Sequence, residues 1–121
     1  MNKIIMKLFF ITFLALISFN FPNTVQADVG SSCHFHGTKL ATEAVIIKCA
    51  DQRKENLIKT NKLDGTWKLV KHDSVSLVQG KKDKEWKIIY KNSAATDKAK
   101  TNLYMFFNPI GNFIAANHTG Q

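Results

Sequence analysis

The chain has 121 residues, with 17 basic and nine acidic side chains and a formal charge of +8 at pH 7. This length excludes more than one modest hydrophobic core. The basic excess fits either an anionic partner or a solvated surface, but a single arginine, Arg53, and scattered lysines argue against a protein that reads nucleic acid.

The N-terminal residues 1–27 have the features of a removable signal peptide. Lys3 and Lys7 provide a positive segment, and an apolar segment from Leu8 to Phe21 follows before Pro22 ends any helix. The apolar segment is shorter than the roughly 20 residues that a membrane-spanning helix needs. We therefore expect export of the chain, with a retained N-terminal anchor as the alternative.

The expected cleavage site follows Val25-Gln26-Ala27, whose small or modest side chains suit signal peptidase, and cleavage would fall before Asp28. Loss of residues 1–27 removes Lys3 and Lys7 and leaves 15 basic against nine acidic residues, a formal charge of +6. The mature protein is thus expected to be periplasmic or secreted and to have no integral membrane span.

A flexible leader is expected over residues 28–37, which are polar and contain glycine, in front of a single domain over residues 38–121. The mature chain has two cysteines, Cys33 and Cys49, in a compartment that permits disulfides. A bridge would attach the leader to the first helix. The alternative is a buried, apolar role for Cys49 and a free thiol at Cys33.

The leader also contains the densest cluster of potential metal ligands, Cys33, His34 and His36. A thiolate beside two imidazoles suits Cu(I) or Zn(II), and the spacing would let Cys33 and His36 bind one ion. His118, or His72, is a weaker candidate for a further ligand. The sequence has no paired Cys-x-x-Cys, so the alternative is a polar leader that binds no metal.

One long helix is predicted from Lys39 to about Asn61, because this segment lacks glycine and proline and its apolar residues follow helical spacing. Thr38 is the expected N-cap. Gly65, after Asp64, is expected to help end the helix by adopting a positive φ.

Beyond the helix the apolar residues alternate, which is typical of strands. The β-rich segments are Trp67–Lys71, Ser74–Val78, Glu85–Lys91, Leu103–Phe107 and Phe113–Asn117. Polar turns separate them, and the loop before the Leu103–Phe107 strand is expected to hold one helical turn. The sequence thus predicts an α+β fold, with one long N-terminal helix packed on a three- to four-stranded antiparallel meander sheet.

The Leu103–Phe107 strand carries large apolar groups on both of its faces. One face has Leu103, Met105 and Phe107. The other has Tyr104 and Phe106, and a single helix covers only one face of a sheet. We therefore expect the second face to bind an envelope protein or a second copy, as a homodimer, or to be covered by the leader. Tyr104, Phe106 and Trp86 are the predicted partner-binding residues.

Several segments together resemble an uncharacterised family of small secreted proteobacterial proteins: Lys62–Trp67, Glu85-Trp86, Leu103–Phe107 and Gly111–Gly120. Members of that family similarly start with a signal peptide and a histidine-containing leader, although the leaders carry more histidines and no cysteine. The layout of one helix followed by strands also resembles the PepSY-like domains. That likeness implies an extracytoplasmic module that inhibits peptidases or senses and regulates.

No catalytic motif stands out. Cys33 beside His34 is a conceivable nucleophile pair, but adjacent residues on a loop rarely hold the required geometry, and His72 and His118 are isolated. We therefore predict a non-enzymatic periplasmic binding or regulatory module of unknown ligand. The alternative is a metal-handling protein that uses the Cys-His-x-His leader to bind copper or zinc.

Overall fold

The computed structural model describes residues 33–121, so the expected signal peptide and residues 28–32 of the expected leader lie outside the described residues. The elements are α1 (Glu43–Lys59), β1 (His72–Gln79), β2 (Lys84–Lys91), β3 (Asn102–Phe107) and β4 (Phe113–Asn117). The strands form one antiparallel sheet in the order β1-β2-β3-β4. The predicted α+β fold, one helix packed on an antiparallel meander, is confirmed with four strands.

Helix α1 begins later than the sequence predicts. Its N-cap is Thr42, whose backbone is extended and whose hydroxyl accepts a hydrogen bond from the Val45 N–H at 3.3 Å. Thr38 was the wrong choice of cap, because the Ala41 N–H donates instead to the carbonyl of Pro109 at 2.9 Å. A tertiary contact therefore delays the helix, and α1 does not lie at the start of the described residues.

The helix ends at Lys59 with Thr60 as its C-cap, and the residue with positive φ that follows is Asn61 and not Gly65. Asn61 adopts a φ of 58°, which asparagine tolerates better than most residues. The N–H groups of Lys62 and Leu63 then bond to the carbonyl of Leu57 at 2.8 and 3.0 Å. Gly65 instead begins a short 3₁₀ turn.

Trp67 belongs to that turn and not to a strand as predicted. The turn spans Gly65–Trp67, and the Asp64 side chain caps it by accepting from the Thr66 N–H at 2.9 Å. Trp67 is 2% exposed and belongs to the core. The segment Trp67–Lys71 is therefore no strand, whereas the predicted Ser74–Val78 strand is β1 and the bounds of all four strands agree with the prediction within two residues.

The core lies between α1 and one face of the sheet. Its fully buried helical residues, Ile46 and Ala50, belong to one cluster with Ile88 from β2 and Met105 from β3. Ile88 is paired with Met105 in the sheet register. Burying a side chain of the size of isoleucine or methionine contributes about 1.5–3 kcal/mol to stability. The burial of these side chains therefore stabilises the packing of the helix on the sheet.

Two polar contacts fix α1 on this layer. The Tyr90 hydroxyl donates to the Asp51 carboxylate at 2.7 Å. The buried Lys54 ammonium donates to the carbonyl of Val70 and lies 5.2 Å from the centre of the Tyr90 ring. Burial raises the pKa of Tyr90 well above its usual range, and the hydrogen bond to Asp51 and the charge of that carboxylate raise it further. Burial also lowers the pKa of Lys54.

The segment before α1 is attached to the domain at two points. Cys33 and Cys49 form a disulfide with a Cα–Cα distance of 5.7 Å. The Phe35 N–H donates to the Asn112 side chain at 2.7 Å, and the Asn112 amide donates back to the Phe35 carbonyl at 2.9 Å. The described part of the expected leader therefore lies against both α1 and the β3–β4 turn.

The raised pKa of Tyr90 predicts a distinctive alkaline titration. Above pH of about 10 the unfolded tyrosine ionises while the folded one keeps its proton, so this contribution to stability is present below that pH and is lost as pH rises further. The lowered pKa of Lys54 changes stability in the opposite direction. The unfolded lysine holds its proton to higher pH than the folded one, so the contribution of Lys54 to stability becomes more favourable as pH rises between the two pKa values.

The chain has two tyrosines, so a Tyr104→Phe variant leaves Tyr90 as the sole reporter. Its tyrosinate absorbance near 295 nm should rise only together with the loss of the far-ultraviolet circular dichroism signal. An absorbance rise at pH of about 10 with the dichroism signal intact would contradict the buried Tyr90–Asp51 pair.

The disulfide should contribute measurably to stability, since it closes a loop between residues 16 positions apart. We expect a Cys33→Ser/Cys49→Ser variant to lose about 3 kcal/mol of unfolding free energy in urea titrations. The wild type with a reductant should lose a similar amount. A loss below about 0.5 kcal/mol would mean that the bridge constrains little of the unfolded chain.

Candidate binding surface on the open sheet face

The second face of the sheet, called the open face below, points away from α1. The sheet register places on it one row of Ser76, Lys87, Phe106 and Ala115 and a second row of Ser74, Ile89, Tyr104 and Asn117. Aromatic and aliphatic groups thus alternate with polar groups on one continuous surface. This arrangement agrees with the expectation that β3 carries large apolar groups on both faces.

Lys87 lies at the centre of the open face. Its ammonium is 5.1 Å from the centre of the Tyr104 ring and 5.8 Å from that of Phe106. A cation at this distance is attracted by the negative face of an aromatic ring. Phe106 is 8% exposed and therefore buried, whereas Tyr104 and Lys87 are partly exposed. The open face therefore has two aromatic rings at its centre with the positive charge of the Lys87 ammonium next to them.

A groove of about 740 Å³ runs across the open face at the end nearest the β1–β2 turn. Val78, Phe106 and Ile114 supply its apolar lining, and Lys81, Lys87 and Glu85 supply its charged groups. Ile114 is 48% exposed.

A bulge in β4 produces this exposure. The register pairs Phe106 with Ala115 and Phe107 with Phe113, which leaves Ile114 as an extra residue. Bulges of this kind redirect a side chain, and here the redirected side chain enters the groove.

The C-terminal residues fold against Tyr104 on the open face, and Gly120 and Gln121 belong to the lining of the groove. The Asn117 side chain accepts from the Gly120 N–H at 2.8 Å and donates to the Gln121 carbonyl at 2.7 Å. Gly120 has a φ of 81° and lies so close to Tyr104 that a Cβ there would be 3.2 Å from the ring. This turn was not predicted from the sequence, although an asparagine three residues before a glycine is a recognisable signal for it.

Trp86 does not belong to the open face. It is paired with Leu77 and Phe107, on the side that faces α1, and is 6% exposed. Its indole N–H donates to the Pro109 carbonyl at 3.3 Å. The alternation of β2 therefore places the Trp86 side chain in the core, on the opposite side of the sheet from Tyr104, with which it was grouped as a predicted partner-binding residue.

The structure brings together only part of the predicted metal-binding set. The Cys33 sulfur is bonded to Cys49, so it offers no thiolate in this state. The rings of His34 and His36 make an edge-to-face contact with their centres 4.7 Å apart. Among residues 33–121, no three His, Cys, Asp or Glu side chains are grouped so that they could hold a metal ion.

His118 has other contacts. Its Nδ1 is 2.6 Å from the Asn102 carbonyl oxygen, and its ring centre is 6.1 Å from that of Trp67. The ring thus connects the end of β4 to the start of β3 and to the Trp67 turn. These contacts give His118 a structural role in the described part of the chain.

The comparisons with known proteins give a family but no activity. Neither a curated protein nor a solved structure matches the chain. Within residues 33–121, no helix combines the length and hydropathy needed to cross a bilayer. A family model matches residues 1–121, in agreement with the expectation of an uncharacterised family. The chain belongs to the family of unknown function DUF6488.

Proposed function

We propose that this protein is an exported, non-enzymatic binding module whose open face binds a partner protein of the cell envelope. The observation that carries the proposal is the half-exposed Ile114 beside the partly exposed Lys87 and Tyr104, with the buried Phe106 ring beneath them. These groups form a continuous apolar and aromatic surface that α1 does not cover.

The chemistry of this surface favours a protein over a small molecule. Tyrosine and other aromatic residues are enriched at the centres of protein interfaces, where they bury large areas at a low entropic cost. The groove next to Ile114 is an open depression along the sheet, whereas a small ligand is usually enclosed on most sides. Lys81, Lys87 and Glu85 supply charges of both signs around it, as in the polar rim of an interface.

Two features support export. Residues 1–27 have the order of charged, apolar and cleavable segments that typifies a signal peptide. The Cys33–Cys49 disulfide fits an oxidising compartment, because cytosolic reductants keep most thiols reduced. A periplasmic or secreted location is therefore part of the proposal.

The geometry supports binding better than catalysis or metal handling. The conceivable Cys33–His34 nucleophile pair requires a free thiol, and Cys33 is oxidised. With Cys33 in the disulfide, only His34 and His36 remain of the copper or zinc ligands proposed for the leader. The likeness in layout to PepSY-like domains suggests a regulatory purpose for the binding, and we include it only as part of this proposal.

The proposal is tested by site-specific photocrosslinking in the native cells. A photoreactive residue in place of Ile114 should form a defined adduct with one envelope protein. The same residue in place of Leu69 should not form this adduct. Leu69 is 90% exposed and precedes the start of β1, whereas the groove lies next to the turn that follows the end of β1.

The identified partner then allows a quantitative test with purified components. Ile114→Asp should raise the dissociation constant at least about tenfold, because it places a carboxylate in the apolar lining, and Lys87→Glu should weaken binding as well. Leu69→Asp is the matched control and should bind like the wild type. Equal adducts from both positions, or equal affinities of the Ile114 and Leu69 variants, would contradict the proposal.

A further inference from the structure

The two histidines of the segment before α1 lie on its exposed side. Cys33 and Phe35 pack against the core, whereas His34 and His36 are exposed. This alternation is typical of an extended chain, in which residues two positions apart point to the same side. The two imidazoles therefore share one side of the segment, and their ring centres are 4.7 Å apart.

The backbone between the two histidines is held in place by the rest of the domain. The N–H and the carbonyl of Phe35 both bond to the Asn112 side chain, at 2.7 and 2.9 Å. The disulfide of Cys33 with Cys49 fixes the residue before His34. The fold thus sets the relative placement of the two imidazoles, which lowers the entropy lost when both bind one ion.

The spacing of the two rings fits two ligands of one metal ion. Two imidazoles that bind one ion through nitrogens about 2.0–2.1 Å from it, with an angle of about 90–110° between the bonds, have ring centres about 4.5–5.2 Å apart. The observed 4.7 Å lies within this range. The ring centre of a histidine lies close to the line of its Cβ–Cγ bond, about which rotation is easy. Such a rotation turns a ring nitrogen toward the ion and leaves the spacing of the ring centres unchanged.

We propose that His34 and His36 bind one Cu(II) ion as a bidentate pair, with water in the remaining positions, while the disulfide stays intact. This site differs from the Cys-His-x-His set expected from the sequence. It uses no thiolate, and therefore favours divalent over monovalent copper. It lies on the segment before α1, so it goes beyond the function proposed for the open face.

The donor set favours Cu(II) over other divalent ions. Imidazole nitrogen and water oxygen in a tetragonal arrangement suit Cu(II), and a given set of such ligands binds Cu(II) more tightly than Zn(II). A structural zinc site usually has four protein ligands, whereas among residues 33–121 no third His, Cys, Asp or Glu is grouped with the pair so that it could hold a metal ion. The disulfide and divalent copper also belong to the same oxidising conditions.

Calorimetric titration of the purified, disulfide-intact protein with Cu(II) alone tests the site. The wild type should bind one equivalent at the pair. His34→Ala and His36→Ala should each raise the dissociation constant at least about tenfold, because either change removes the chelate, and the double variant should differ little from either single one. Zn(II) should bind the wild type more weakly than Cu(II). Pulsed electron paramagnetic resonance should detect two copper-bound imidazoles in the wild type and fewer in each single variant.

Two control variants separate this site from other effects. The chain has four histidines, and His72→Ala removes one that lies in β1, so it should leave the Cu(II) affinity unchanged. Ile114→Asp on the open face should leave it unchanged as well, so copper binding and partner binding are tested independently. Circular dichroism should show that every variant is folded. Wild-type affinity in the His34 and His36 variants, an equal loss in His72→Ala, or tighter binding of Zn(II) than of Cu(II) would overturn the proposal.

Discussion

The burial of one helix against one face of a four-stranded sheet is the constraint on which the rest of this structure depends. Ile46 and Ala50 of α1 are fully buried with Ile88 and Met105 of the sheet. A helix is about 10 Å wide and four strands about 4.8 Å apart span about 14 Å, so a single helix packs on one face of the sheet and leaves the other without a helical layer. The alternation of β3 then leaves Tyr104 and its row without a helical layer.

Features outside this layer shape the uncovered surface. The Cys33–Cys49 disulfide and the Phe35–Asn112 hydrogen bonds hold Cys33 and Phe35 against the core on the helix side of the sheet. The bulge at Ile114 directs one more apolar side chain to that face. The C-terminal turn covers Tyr104 in part, so the exposed surface is centred on the groove.

Local patterns in the sequence predict much of this fold, because alternation and turn residues act over a few positions. They correctly indicate all four strands and the two-sided character of β3. They fail where tertiary contacts decide, as at Thr42, which caps α1 because Ala41 bonds to Pro109. They also fail for Trp86, because only the packed structure shows which face of β2 is covered by α1.

The central claim, that one face of the sheet is buried and the other open, is tested most directly by solvent paramagnetic relaxation of isoleucine methyl groups. Ile88 and Ile89 are adjacent in β2 and face opposite sides of the sheet. A soluble gadolinium chelate should broaden the methyl signals of Ile89 and Ile114 strongly and leave those of Ile46 and Ile88 sharp. Protection of Ile89 and Ile114 equal to that of Ile88 would contradict the account.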